Sequence, residues 1–208
     1  MRPLIAAAVA GLAVLSSCKT PGLIPTQASG EPAGESSSSP LTREMALARA
    51  REVSRVSYAL WFALDAKGEE YQGRVAIGFE LAERAEGDLL VDFEDGAVRA
   101  LSINGVAVPA AEIPKRYDGH RLRFATGELV RGGANRIEIE FAHATSTTGN
   151  GLHRFEDPAD GRVYVYSNFE PYNANRMFPC FDQPDLKASY ELTVEAPSEW
   201  TVISNTQE

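Results

Sequence analysis

Arg55-Val56-Ser57-Tyr58-Ala59-Leu60-Trp61-Phe62-Ala63-Leu64 alternates along its length: Val56, Tyr58, Leu60, Phe62 and Leu64 point one way, with Arg55 and Ser57 opposite. Successive side chains of an extended chain leave opposite faces, so period two over this length predicts a half-buried strand. Tyr71, Val75, Ile77, Phe79 and Leu81 repeat the pattern, with Gln72, Arg74 and Glu80 between them. Working outward, Leu89 to Phe93, Val98 to Ile103, His120 to Phe124, Arg136 to Phe141, Val163 to Ser167, Ser189 to Glu195 and Thr201 to Ser204 read as further strands. Asn104-Gly105 is a tight-hairpin signal, because both residues tolerate positive φ. Upstream, Thr42 to about Ser54 reads as a short helix, capped by Thr42 and with Glu44 in its first turn. Many short strands joined by Gly, Asn, Asp and Pro turns predict an all-β fold, an antiparallel β-sandwich with a short N-terminal helix. The chain shows no internal repeat, no coiled coil and no second long apolar span.

The N-terminus reads as an address. Met1-Arg2 is a short basic start, and Leu4 to Leu15 is an apolar run too short to span a bilayer. Leu15-Ser16-Ser17-Cys18 closes it with small residues, which describes an export signal. The Cys after Leu-Ser-Ser resembles a bacterial lipobox. That resemblance implies cleavage after residue 17, lipidation of Cys18 and anchoring to a membrane through acyl chains. An ordinary secretory signal and a buried apolar helix are the other readings of the same residues. Lys19, where an Asp would suggest inner-membrane retention, leans towards the outer membrane or cell surface. Thr20 to Pro40 carries Pro21-Gly22, Pro25, Gly30, Pro32, Gly34 and the run Ser36-Ser37-Ser38-Ser39-Pro40. Such a segment has too little apolar content to offset its ordering entropy, so a flexible tether is expected. The predicted organisation is a signal over 1–17, a lipidated Cys and linker over 18–40, and one β-domain over 41–208.

Composition excludes several classes. The formal net charge is −9, and −10 once Arg2 leaves with the signal. An acidic chain with no Lys/Arg cluster is not a nucleic-acid binder, and anionic lipid would not hold it by charge. Of its two cysteines, Cys18 is assigned to lipid, leaving Cys180 between Pro179 and Phe181 as a buried, small apolar residue. His120, His143 and His153 show no metal-ligand spacing and no H-E-x-x-H, so each reads as a structural or surface histidine. There is no nucleophile elbow and no phosphate-binding glycine loop.

Glu170 is the candidate worth isolating. It follows the strand Val163 to Ser167 in Phe169-Glu170-Pro171-Tyr172, and Pro171 restricts it to extended backbone. A carboxylate on a cleft rim can pair with a free α-ammonium and so select a free N-terminus over an internal peptide. The plainer reading is a solvated Glu at a strand end. Nearby, Arg176 and Lys187 bracket Asp182 and Asp185, so ion pairs are expected to stitch that loop to the sheet, with Phe178, Pro179, Phe181 and Pro184 wedged into the core. Tyr172 and Asn173 are placed where they can face a cleft.

Taken together, Ser167-Asn168-Phe169-Glu170-Pro171, Arg176-Met177-Phe178-Pro179-Cys180-Phe181-Asp182-Gln183-Pro184-Asp185-Leu186-Lys187-Ala188 and Trp200-Thr201-Val202-Ile203-Ser204-Asn205 resemble the N-terminal domain of the aminopeptidase N family of zinc metallo-aminopeptidases. A weaker likeness covers Leu41 to Phe79. The resemblance implies a saddle-like β-domain lining a substrate cleft, with peptide N-termini as ligands. It also implies that Glu170 reads the substrate amine, and that Asn168 stands where the family has Gln, one methylene shorter. Family chains continue into a zinc-binding catalytic domain with Gly-Ala-Met-Glu-Asn and H-E-x-x-H motifs. Neither motif occurs here, so this chain is expected to hold no zinc of its own and to be inactive alone, as a fragment of an exported aminopeptidase. The alternative is a free-standing lipoprotein that binds peptides or serves as a structural module without catalysis.

Overall fold

The computed structural model describes residues 41–205. The signal, Cys18 and linker readings fall outside these residues. The first element is α1 (Arg43–Glu52), whose N-cap Thr42 accepts a hydrogen bond from the Met45 amide at 3.3 Å. Glu44 sits in the first turn, where the helix dipole favours an acid. The helix ends two residues before the predicted Ser54, because Val53 and Ser54 already belong to the first strand.

Ten strands follow: β1 (Val53–Ala63), β2 (Glu70–Leu81), β3 (Asp88–Asp92), β4 (Ala97–Ile103), β5 (Val106–Ala107), β6 (Arg121–Ala125), β7 (Gly133–Ala144), β8 (Gly151–Glu156), β9 (Val163–Asn168) and β10 (Ala188–Glu195). A short helix, α2 (Ile113–Arg116), lies between β5 and β6. Six strands form one sheet in the order β10-β1-β2-β7-β4-β5, while β3–β6 and β8–β9 are two-stranded. The alternation in β1 and β2 is realised: Val56, Tyr58, Leu60 and Phe62 are buried, as are Tyr71, Val75, Ile77, Phe79 and Leu81. They join Leu89 and Val91 of β3 and Leu122 and Phe124 of β6 in one core, so the β3–β6 ribbon is the second layer of the sandwich. Asn104 and Gly105 both have positive φ, at 49° and 80°, and turn β4 into β5.

Two expectations are corrected. The main sheet is mixed, because β10 runs parallel to β1 from Val56↔Ala188 to Ala63↔Glu195. Parallel neighbours cannot be joined by a tight hairpin, and β1 and β10 are separated in the chain by β2 through β9. Residues Thr201–Ser204 form no strand; Val202 and Ile203 are exposed, at 44% and 87%, with no sheet partner among the described residues. β8 was not among the expected strands. It pairs antiparallel with β9, and this ribbon ends at Asn168, two residues before Glu170.

Candidate functional site

β9 delivers its last residue, Asn168, to the mouth of an open cavity of about 930 Å³. Phe169 and Glu170, the Cys180–Gln183 segment and Tyr190 of β10 line it. The main chain at Glu170 is fastened by its neighbours. The Glu170–Pro171 peptide is cis, and the buried Asn173 donates its Nδ2 to the Glu170 carbonyl at 2.6 Å. The Asn173 amide donates to the Phe169 carbonyl at 3.0 Å, and the Phe169 ring meets Phe178 edge-on at 6.1 Å. The Glu170 carboxylate itself is exposed and has no hydrogen-bond or ion-pair partner among the described residues. A fixed backbone carrying an unpartnered carboxylate on a cavity rim is the arrangement that a cationic ligand group would need.

Asn168 also lines this cavity, but its amide is engaged with the backbone. Oδ1 faces the Glu170 N–H at 3.4 Å, and Nδ2 donates to the Gly149 carbonyl at 3.1 Å. Asn173 is buried, and Tyr172 turns instead towards Arg121 and Asp92. Burial pushes the Tyr172 hydroxyl above its ordinary range, and the Asp92 charge adds to the rise. His143 sets both ring nitrogens 2.7 Å from carbonyl oxygens, of Ala144 and Glu94, and His153 Nδ1 accepts from the Gly149 N–H at 3.0 Å. Both are therefore fastened to backbone.

The lining residues Cys180 and Asp182 are bonded to a buried polar cluster that the sequence reading did not find. Asp92, 1% exposed at the end of β3, takes Arg49 Nη1 at 2.7 Å on Oδ2 and Arg121 Nε at 3.0 Å on Oδ1. Its Oδ2 also accepts the Asp182 N–H at 3.2 Å. Its backbone exchanges two hydrogen bonds with Cys180, at 2.8 and 3.0 Å. The Tyr58 hydroxyl takes the Phe181 N–H at 2.9 Å. Burial raises the Cys180 thiol well above the usual range, and the charges of Asp182 and Asp92 add to this. A thiol held protonated in this way is no nucleophile, in line with its reading as a buried apolar residue. Asp182 is also pushed up, first by burial, while the Asn175 N–H pulls it back and the Asp92 charge raises it further.

The expected stitching of this loop is corrected. Arg176 pairs with Glu94 at 2.6 Å, and Asp182 is held by the Asn175 backbone N–H and Nδ2 at 3.0 and 2.9 Å. Lys187 and Asp185 make no ion pair among the described residues. Phe178, Pro179 and Phe181 are buried as expected, but Pro184 is exposed. One sequence signal for the cluster existed. Asp92 is a lone carboxylate between the apolar residues Val91 and Phe93, where only a paired charge is tolerated. Its partners lie 43 and 29 residues away, so spacing could not name them.

A mixed sheet with an open cavity beyond the end of β9, lined by Glu170, defines a β-domain with one candidate ligand site. Residues 54–208 match the Peptidase M1 N-terminal domain, and the chain belongs to that family. It is 38% identical over 167 residues to aminopeptidase N of Streptomyces lividans, an overlap of 79% of this chain and 19% of that protein. Among solved structures it resembles native leukotriene A4 hydrolase from Saccharomyces cerevisiae, with a TM-score of 0.57 at 20% identity over 71% of this chain and 24% of that one. It also resembles a mutant of an M1 zinc metallopeptidase from Deinococcus radiodurans, with a TM-score of 0.53 at 21% identity over 71% of this chain and 33% of that one. These structural likenesses bear on the fold. The chain spans about a fifth of the length of the Streptomyces relative. The family is one of zinc metallopeptidases, but among the described residues no three His, Cys, Asp or Glu side chains converge to hold a metal.

Proposed function

We propose that this chain forms the cleft-lining N-terminal β-domain of an exported zinc aminopeptidase that removes N-terminal residues from peptides. In this reading Glu170 pairs with the α-ammonium of the peptide, while Asn168 braces the Glu170 backbone from the same cavity wall. Catalysis belongs to a zinc-binding domain, and this chain alone hydrolyses nothing. Cys18 carries the lipid that holds the protein at the outer membrane or cell surface. The observation that carries the ligand role is the exposed, unpartnered Glu170 carboxylate on a backbone fixed by Asn173. A second observation favours a covering domain over a free-standing module. Tyr190 and Leu192 of β10 are in register with the buried Tyr58 and Leu60, yet remain 55% and 42% exposed. Apolar residues on the core-facing side of an edge strand want a partner surface.

Calorimetric titration of the purified chain with a short peptide tests the ligand role. A charge-assisted hydrogen bond contributes about 1.5–3 kcal/mol. The free-amine peptide is therefore expected to bind roughly 10- to 100-fold more tightly than its N-acetylated form. Glu170→Gln should abolish that difference. Equal affinity for the two peptides in the unaltered chain overturns the assignment of Glu170, and peptide turnover by residues 18–208 alone overturns the division of labour.

A further inference from the structure

The helix α1 is fastened into the wall of the Glu170 cavity. Arg49 is its one buried residue. Asp92 already has a counter-charge in Arg121, which takes Oδ1. Arg49 takes the other oxygen, Oδ2, the one that also receives the Asp182 N–H. The Arg49 guanidinium lies over the Phe181 ring, 5.6 Å from its centroid. One turn earlier on the helix, the Ala46 carbonyl accepts Gln183 Nε2 at 2.8 Å. Phe181, Asp182 and Gln183 all line the cavity. Two of these wall residues, Phe181 and Gln183, are thus held directly from α1, and Asp182 is held through Asp92, which Arg49 also contacts.

We propose that Arg49 is a positioning residue: from α1 it fixes the Cys180–Gln183 wall, so that the shape of the Glu170 cavity depends on α1. The division of labour on Asp92 is the reason. Neutralising a buried carboxylate requires one guanidinium, and Arg121 supplies it on the far oxygen. The second guanidinium, on the wall side, orients the oxygen that holds Asp182 and packs on Phe181. Losing it loosens the wall while Asp92 keeps a counter-charge. The consequence for ligands rests on the Glu170 reading; the consequence for the wall does not.

Cys180 is the reporter, since it lies in the wall, is 3% exposed and is bonded through its backbone to Asp92. The experiment is iodoacetamide labelling of the full chain at fixed pH, with Cys180 followed by peptide mass spectrometry. Amide hydrogen exchange at Ile77 and Ile139 monitors the core, where both are fully buried. Arg49→Met keeps the apolar stem and should speed Cys180 labelling at least tenfold with exchange at Ile77 and Ile139 unchanged. Arg49→Lys, which restores one charged donor, should recover much of the protection. An unchanged labelling rate in Arg49→Met overturns the proposal, as does a rise matched by equal deprotection of Ile77 and Ile139. If Arg49→Met does not fold, Arg49→Gln, which keeps a polar donor without the charge, is read by the same labelling: faster Cys180 labelling with Ile77 and Ile139 unchanged supports the proposal, and an unchanged rate overturns it. Peptide titration of Arg49→Met separates the two readings. If the unaltered chain discriminates free from acetylated peptide, the variant should lose affinity about tenfold. If the unaltered chain does not, the Glu170 assignment falls and the labelling result still decides Arg49.

Discussion

Replacing Asp92 by Ala removes the one acceptor shared by two buried guanidinium groups. Arg49 and Arg121 side chains are 5% and 10% exposed, and their contacts to Asp92 are 2.7 and 3.0 Å. The Asp182 N–H at 3.2 Å loses its acceptor as well. Breaking a buried ion pair from one side costs about 3–5 kcal/mol, because the remaining charge is left in a poor solvent. A loss of about 4 kcal/mol is a large share of the 5–15 kcal/mol that holds a typical domain together. For a domain of this size each kcal/mol moves Tm by about 2–4 °C, so the expected fall is roughly 8–16 °C. Circular dichroism melts at neutral pH measure it. Glu138→Ala is the control: its pair with Arg136 is exposed, 47% and 57%, and such pairs contribute less than about 1 kcal/mol. If Asp92→Ala melts within 3 °C of the unaltered chain, the argument that this cluster anchors the cavity wall is wrong.

Two further substitutions follow from packing and charge. A Cβ at Gly73 would lie 2.2 Å from Phe141 Cζ, and that ring is locked edge-on between Phe62 and Phe93. Gly73→Ala should therefore cost about 1–3 kcal/mol by overpacking; a urea midpoint equal to or above that of the unaltered chain refutes it. Asp182 has its pKa raised in the fold, chiefly by burial, so the native state keeps this proton longer than the unfolded chain does. Stability contributed by Asp182 thus falls as pH rises from the ordinary Asp range through the raised folded pKa. Asp182→Asn should flatten that part of the Tm-against-pH curve, and an unaltered slope there removes Asp182 as its cause.

What could be read early was whatever repeats locally. Val56 to Phe62 and Tyr71 to Leu81 declare their buried face because strand geometry alternates by residue, whatever the strand pairs with. Thr42 declared the helix start and Asn104-Gly105 the turn for similarly local reasons, a side-chain oxygen for an orphan N–H and two residues that accept positive φ. Glu170 stood out by its motif, and it is among the residues that line an open cavity. The exposed Val202 and Ile203 show the limit of the same logic, since a β-rich segment becomes a strand only where an edge is offered to it.

By itself, then, the sequence determined the β class, the faces of its long strands, and the family, because these depend on neighbours in the chain. Only the tertiary structure decided that β10 runs parallel beside β1, that Asn168 spends its amide on Gly149 and Glu170, and that Arg49, Asp92, Arg121 and Asp182 form one cluster. Those outcomes depend on which groups remain without a partner after the core has closed. Burial makes an unpaired charge too costly to leave, and the nearest available partner can lie anywhere along the chain.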